Sequence, residues 1–453
     1  MKKSTKILVP SGVLGLGFSE DALIQGLKRQ PDIISIDGGS TDSGPFYLGM
    51  GVSKYSLEVC ESEWRVLMQA RYDNKIPLVI GSCGTCGVNA GVDTMFELTT
   101  RIAKELGHAL KIVRIYCERE VSEFKNALRD NRIKALEPAP EVTEDSLAKT
   151  THIVSSAGVE PIQRAIEIGA DIILVGRTTD TALIAALPLL NNANKGASWH
   201  AAKIAECGAF CSTNPSSGVI LVEVDEKGFT VEAMADNAFC TPETVAAHML
   251  YENADPFILL EPGGHLDVTE ASYTALDARR VRVEGSHWHP SDTYTVKLEA
   301  AKLSGYQTTL LTIVRETNYI KKIEEWIEKL SKICEAKIKQ SMPESNSTYA
   351  VDFRVIGKNA ALGELEFSEN QAPELGILVI ITADSQNRAD DIAMLINPYL
   401  LHMPLSQNEP IPTTAFAYSP ANSSRGAFFE FALNHIMVLD EPCDGFSFLI
   451  DDI

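Results

Sequence analysis

From the first residues onward, short apolar runs alternate with amphipathic segments, and this rhythm constrains the fold more than any other feature of the chain. Lys6 to Pro10 is followed by a helical pattern from Glu20 to Arg29 and then by a second apolar run, Asp32 to Asp37. The alternation continues with a helix near Glu61 to Tyr72, a strand Pro77 to Gly81, a helix Thr94 to Leu106 and a strand Leu110 to Tyr116. After a connector from Leu136 to Glu144 come strand His152 to Ser155, helix Pro161 to Ile168 and strand Asp171 to Gly176. Strands this apolar on both faces belong in a mostly parallel sheet covered by helices, so the expected class is α/β.

The pattern changes near Gly208. Gly218 to Val224, Arg279 to Glu284 and Thr293 to Glu299 read as strands, which predicts a β-rich middle region. The last third runs strand Gln307 to Arg315, helix Tyr319 to Lys339, strands Ala350 to Ile356 and Leu375 to Thr382, helix Asn387 to Ile396 and strand Ala432 to Leu439. That order, βαββαβ, predicts a ferredoxin-like sub-domain, interrupted by an irregular stretch from Pro404 to Arg425. At 453 residues the chain exceeds one ordinary core. The expected division is an α/β ligand-binding domain at 1–215, a β-rich region at 216–304 and a ferredoxin-like α+β domain at 305–453.

A formal net charge of −21 repels phosphodiester backbones and anionic lipid surfaces, which argues against nucleic acid and membrane partners. The apolar run Ile7-Leu8-Val9-Pro10 is too short for a signal-peptide core, and no later stretch suits a membrane span, so a cytoplasmic protein is expected. Nine scattered cysteines in a large chain fit reduced thiols better than a disulfide framework.

In open parallel sheets, ligands bind beyond the carboxyl ends of the strands, where loops lead into helix N-termini. Those loops here are Pro10-Ser11-Gly12, Asp37-Gly38-Gly39-Ser40-Thr41-Asp42, Gly81-Ser82-Cys83-Gly84-Thr85-Cys86-Gly87, Ser155-Ser156-Ala157-Gly158 and Gly176-Arg177-Thr178-Thr179-Asp180. Glycine lets a backbone approach a ligand, and Ser or Thr adds a hydroxyl without bulk. Convergence would make Ser11, Gly38, Gly39, Ser40, Thr41, Ser82, Gly84, Arg177, Thr178 and Asp180 an anion-binding cradle. The plainer alternative is that such loops are Gly- and Ser-rich because turns and helix caps require it. No loop has the spacing of a phosphate loop or a dinucleotide fingerprint, so neither ATP nor NAD is assigned.

Arg177 suits a carboxylate or phosphate, or else a structural pair with Asp180. Asp37 and Asp42 are candidates to act as acid and base or to ligate a divalent ion, the alternative being a side-chain turn cap at Asp42. His200, on a probable helix, and His265, after the turn Glu261-Pro262-Gly263-Gly264, are the histidine candidates for proton transfer. Lys297 and Glu299 read as a sheet-surface pair. Cys83 and Cys86 form a Cys-x-x-Cys that invites a redox or zinc reading, alone or with Cys207 and Cys211, against the commoner case of buried packing thiols.

Several phrases taken together, Pro10-Ser11-Gly12, Asp37 to Pro45, Gly176 to Ala182, Trp199-His200-Ala201-Ala202-Lys203, Leu250 to Pro256 and Tyr294 to Glu299, resemble the acyclic terpene utilisation AtuA family. Ser424-Arg425-Gly426 and Leu433-Asn434-His435 extend the resemblance towards the end of the chain, while Cys83 and Cys86 depart from it, because small residues such as Ala or Gly are expected there. The resemblance implies a place in the breakdown of citronellol- and geraniol-type branched acids as CoA thioesters. The expected function is therefore an enzyme of organic-acid or branched acyl-CoA catabolism, of lyase or hydratase type. Its ligand would be an anionic small molecule, a carboxylate or CoA thioester, and the chain is expected to form a homo-oligomer. The alternative is a non-catalytic subunit or ligand-binding protein of the same pathway. The cofactor is left open, with a divalent metal as one option.

Overall fold

The computed structural model describes residues 4–342, 348–367 and 372–453. The chain forms two compact units, residues 1–302 with 431–453 and residues 303–430.

In the first unit five strands run parallel in the order Ser4–Val9, Ile33–Asp37, Leu78–Gly81, Ile172–Val175 and Lys111–Tyr116. Their side chains are buried almost throughout, as both-face apolar strands require: Ile33–Asp37, Leu78–Gly81 and Ile172–Val175 bury every residue. The helices that cover them carry their own start signals. Ser19 caps Glu20–Lys28 by accepting from Ala22 N–H, acidic Glu20 and Asp21 sit in the first turn, and Ala22, Leu23 and Gly26 face inward. Ala182–Leu190 is apolar all round and buried over Ala182–Pro188, and it packs against Lys195–Ala205, itself buried from Gly196 onward.

Strand Ile172–Val175 is last of the five in sequence, yet it lies between Leu78–Gly81 and Lys111–Tyr116. Its outgoing loop, 176–181, therefore emerges among the ends of its neighbours, which is where an open α/β sheet places a ligand site. Antiparallel strands extend the sheet on both sides. Ser447–Asp452 pairs with Lys111–Tyr116, and Ile220–Asp225 pairs with Ser4–Val9, followed by Gly228–Ala233, Arg280–Glu284 and Ser272–Ala275. The β-rich segment after residue 215 thus continues the N-terminal sheet. A separate three-stranded sheet joins Ile258–Glu261, Gly264–Asp267 and His287–Pro290.

Thr293 to Glu299 and Gln307 to Arg315, expected as separate strands, form a single 21-residue strand, Tyr294–Val314. In the first unit its opening residues pair with His435–Leu439 and Thr150–Ser155. In the second unit Tyr306–Val314 pairs antiparallel with Leu375–Ala383, which in turn pairs with Tyr349–Ile356; Thr414–Phe416 and Asn422–Phe431 also pair with the long strand. The expected closing strand of the βαββαβ order, Ala432 to Leu439, is found at His435–Leu439 and belongs to the first unit. Its alternating pattern marks it as a strand, but periodicity says nothing about which edge it joins.

Leu375–Ala383 alternates buried and half-buried positions residue by residue, as expected of a sheet covered on one face. Helices Ile323–Ser341 and Gln386–His402 supply the cover, with Trp326, Leu330, Ile338, Ile392, Ile396 and Leu400 in the core. Trp326 is fully buried and its indole N–H donates to Met403 O at 2.9 Å. Trp326→Ala is expected to destabilise the second unit by about 3–5 kcal/mol. Hydrogen exchange should then show lost protection concentrated in Leu375–Ala383 and Gln386–His402, with the first unit's parallel strands unaffected.

Candidate functional site

The strand-end loops converge, and they are held together first of all by one another. Gly38 N–H donates to Gly81 O at 2.8 Å, Ser82 N–H to Gly176 O at 2.8 Å, Cys83 N–H to Val175 O at 3.1 Å and Arg177 N–H to Gly87 O at 3.1 Å. The contacts leave no room for side chains. A Cβ on Gly38 would lie 2.6 Å from Gly81 O, and one on Gly87, at φ +68°, would lie 2.1 Å from Arg177 N. Glycine serves loop-to-loop approach here, and the N–H groups of Gly38, Gly39, Ser82 and Arg177, four of the residues expected in the cradle, are bonded within the scaffold.

Arg177 locks this junction. Its Nε donates to Glu299 Oε2 at 2.8 Å, and Nη1 donates to Ser82 Oγ at 3.0 Å and to Thr178 O at 2.9 Å, with Asp180 at 3.5 Å. Glu299, expected as a sheet-surface partner of Lys297, is buried and pairs with both cations, with Lys297 Nζ at 3.4 Å. Burial alone would raise the Glu299 carboxyl, but Arg177 and Lys297 outweigh it and hold the group at about 2.

Beside this junction opens a cavity of about 950 Å³. Of the expected site residues, Ser40, Asp42, Arg177, Asp180 and His265 line it. Ser40 Oγ donates to Asp42 Oδ2 at 2.7 Å, and His265 stacks on His289 with ring centroids 4.8 Å apart. Asp37 is buried behind the loops; its Oδ2 accepts Gly39 N–H at 2.9 Å, while Oδ1 has no hydrogen-bond partner. Burial and the charge of Asp180 push the Asp37 carboxyl well up, against Arg177. Gly39, at φ +133°, packs on Thr85, and Thr41 is buried. Gly38 and Gly84 line a separate, smaller cavity of about 260 Å³. Ser11, Ser82 and Thr178 are buried and line neither cavity, Thr178 Oγ1 donating to Ala157 O at 2.9 Å.

His200 also lies outside the cavity. It is wholly buried, with Nδ1 2.7 Å from Ser286 Oγ and Nε2 3.2 Å from Tyr273 OH, and burial pulls it down to about 3. A neutral histidine so enclosed is a packing and hydrogen-bonding residue. Cys83 and Cys86 are buried free thiols; burial raises both, Cys86 to about 11, so neither is a ready thiolate. Among the described residues the group of side chains placed to share a metal ion is Glu206, Cys207 and His248, with no member of the Cys-x-x-Cys.

The structure adds wall residues that periodicity did not single out: Thr181, Lys203, Glu206, Glu252, Asn253 and Glu261. Lys203, Glu252 and Asn253 lie inside the phrases Trp199 to Lys203 and Leu250 to Pro256, so the family-like wording was the available signal. Glu206 bonds Lys203 Nζ, and burial with Asp180 and Glu261 nearby pushes it up to about 8. Glu261 accepts a hydrogen bond from Thr181 Oγ1 on one oxygen, while its Oε2 is buried without a partner. Burial, aided by Asp180, pushes Glu261 up to about 7 against the two threonine hydroxyls and Lys203. The same cavity is also lined by the apolar residues Leu136, Leu259, Leu260 and Ile436.

Two expectations follow. Arg177→Ala strands a buried Glu299 and should destabilise the protein by about 3–5 kcal/mol, whereas replacing the pair together with Met and Leu should recover much of that loss in chemical denaturation. Because Glu261 holds its proton more tightly folded than unfolded, its contribution to stability is complete below about pH 4.5 and is lost as pH rises through about 7. Melting between about pH 5 and pH 8 should therefore fall more steeply for the wild type than for Glu261→Gln, by on the order of 1–2 kcal/mol allowing for solvent in the cavity.

Among the described residues no helix is long and apolar enough to cross a membrane. No curated protein and no solved structure matches the chain. The family model described as acyclic terpene utilisation family protein AtuA matches residues 72–425, which include the loop 176–181, Glu206, Glu252, Glu261 and Glu299. With the match covering most of its length, the chain belongs to the acyclic terpene utilisation AtuA family.

Proposed function

We propose that the protein is an enzyme of acyclic terpene utilisation that carries out acid–base chemistry, of the lyase or hydratase type, on a branched anionic small molecule held in the 950 Å³ cavity. Family membership supports the pathway. The observation that carries the chemistry is Glu261. A general acid or base works best with a pKa near the working pH, and Glu261, at about 7, has its Thr181-bonded oxygen fixed and Oε2 unpartnered. The second carboxylate to use is Asp42, which shares the cavity and keeps a hydrogen bond from Ser40.

The walls match the proposed ligand in kind. Leu136, Leu259, Leu260 and Ile436 suit a branched hydrocarbon, and the volume lies at the upper end of small-molecule sites, enough for a chain with part of a thioester carrier. For the anionic end the candidates are Lys297, half exposed beside Glu299, and the Ser40 hydroxyl. Arg177 positions the loops, since its Nε and Nη1 donors are engaged by Glu299, Ser82 and Thr178. For the second unit we retain a ferredoxin-like reading, supported by the antiparallel order Tyr349–Ile356, Leu375–Ala383, Tyr306–Val314, Thr414–Phe416. In it Thr414–Phe416 takes the place first expected for Ala432 to Leu439.

Incubation with branched and linear acyl- and enoyl-CoA thioesters and the free acids, followed by mass spectrometry for gain or loss of water or a cleaved fragment, tests the reading. Glu261→Gln should lower kcat by about 10²–10⁴-fold with KM little changed. Turnover within about threefold of wild type would sink the role given to Glu261.

A further inference from the structure

We propose that Glu206, Cys207 and His248 form a binding site for a divalent cation of the zinc class at the edge of the large cavity. The carboxylate, thiol and imidazole each bring one ligand atom into a group whose members all lie within 4.8 Å of one another. Ligands of a tetrahedral ion at about 2.0–2.3 Å lie roughly 3.5 Å apart, so side-chain rotation of about an ångström closes the set.

The second, independent observation is at His248. The residue is 5 % exposed, and its Nε2 is buried with no hydrogen-bond partner. Buried polar atoms are nearly always partnered, and an orphaned imidazole nitrogen beside a thiol and a carboxylate is what a metal ion would satisfy. The ring is held by the backbone of Lys203 and by stacking on Tyr251 at 5.7 Å, so its position is fixed without the ion.

The scaffold is equally firm on the other side. Glu206 and Cys207 follow helix Lys195–Ala205, and the chain turns at once at Gly208, φ +60°. A Cβ on Gly12 would lie 3.0 Å from Cys207 Cα, so the loop Pro10-Ser11-Gly12 braces the backbone of the thiol residue. This gives that family-like phrase a task its absence from the cavity wall left open.

The cavity wall is rich in carboxyl groups. Asp42, Asp180, Glu206, Glu252 and Glu261 share the cavity wall, and the cations there, Arg177, Lys203 and Lys297, are each already paired with a carboxylate. Lys203 Nζ occupies one Glu206 oxygen and leaves the carboxylate's other oxygen for a metal. A thiolate, imidazole and carboxylate set is too soft for magnesium or calcium and suits zinc, with three protein ligands leaving a further coordination position for water or a substrate oxygen. A bound dication would turn an acid-rich wall into one that accepts an anion.

The test uses the full-length protein purified without a metal-binding tag and stripped with a chelator. Zinc, titrated in competition with a chromophoric chelator, should bind as a single equivalent. Cobalt in its place should give a thiolate-to-metal absorption band. Cys207→Ser should abolish the band and weaken zinc more than about tenfold, His248→Ala should weaken it comparably, and Glu261→Gln should leave both intact, separating this site from the acid–base role. In the wild type, zinc should protect Cys207 from alkylation while Cys443, the other partly exposed thiol, stays reactive. Absence of a stoichiometric site, affinity unchanged in Cys207→Ser and His248→Ala, or Cys207 alkylated equally with and without zinc would each overturn the proposal. Should either variant fail to fold, the wild-type protection result decides.

Discussion

The buried pair of Arg177 and Glu299 is the constraint on which the site depends. Arg177 leaves the end of the central parallel strand, Glu299 lies on the long strand Tyr294–Val314, and their 2.8 Å contact ties the N-terminal sheet to a segment more than a hundred residues away. In a low-dielectric interior neither charge is tolerable alone, so each fixes the other's position. Ser82 and Thr178 accept from the Nη1 donors, which sets the loops after Leu78–Gly81 and Ile172–Val175 in one arrangement.

That arrangement alters how the glycine- and serine-rich loops are understood. Their small residues permit backbones to touch: Gly38 against Gly81 and Ser82, Gly87 against Arg177. The result is a rim in which the N–H groups of Gly38, Gly39, Ser82 and Arg177 are bonded internally, with side chains rising around it. Six of them are carboxylates: Asp42, Asp180, Glu206, Glu252, Glu261 and Asp292. Crowding and burial push Glu206 and Glu261 into the neutral pH range, while the ion pairs of Glu299 keep it ionised. Like groups in one cavity thus acquire different roles from their surroundings alone.

Much of the first unit was legible beforehand. The two-faced apolar strands and the capped amphipathic helices record their environment directly, because burial on one face or both leaves a period in the sequence. Asp42, Asp180 and His265 were legible as cavity residues because strand-end loops and sharp turns present side chains. His200 was misleading, since an amphipathic reading cannot distinguish a helix face turned to a cavity from one packed in the interior, and its helix is buried all round. Glu206 and Glu261 were not legible as proton carriers, because their pKa values arise from neighbours at Asp180, Thr181 and Lys203 that no sequence window contains.

By itself, the sequence determined the class of fold, the identity of the local elements and the family, because periodicity, caps and shared phrases are local properties. Only the tertiary structure decided that Ile172–Val175 slots between earlier strands, that His435–Leu439 returns to the first unit, and that Arg177 is consumed by Glu299. It alone brought Glu206, Cys207 and His248 together. Pairing partners, burial and electrostatic coupling are set by distances through space, and those exist only once the chain has folded.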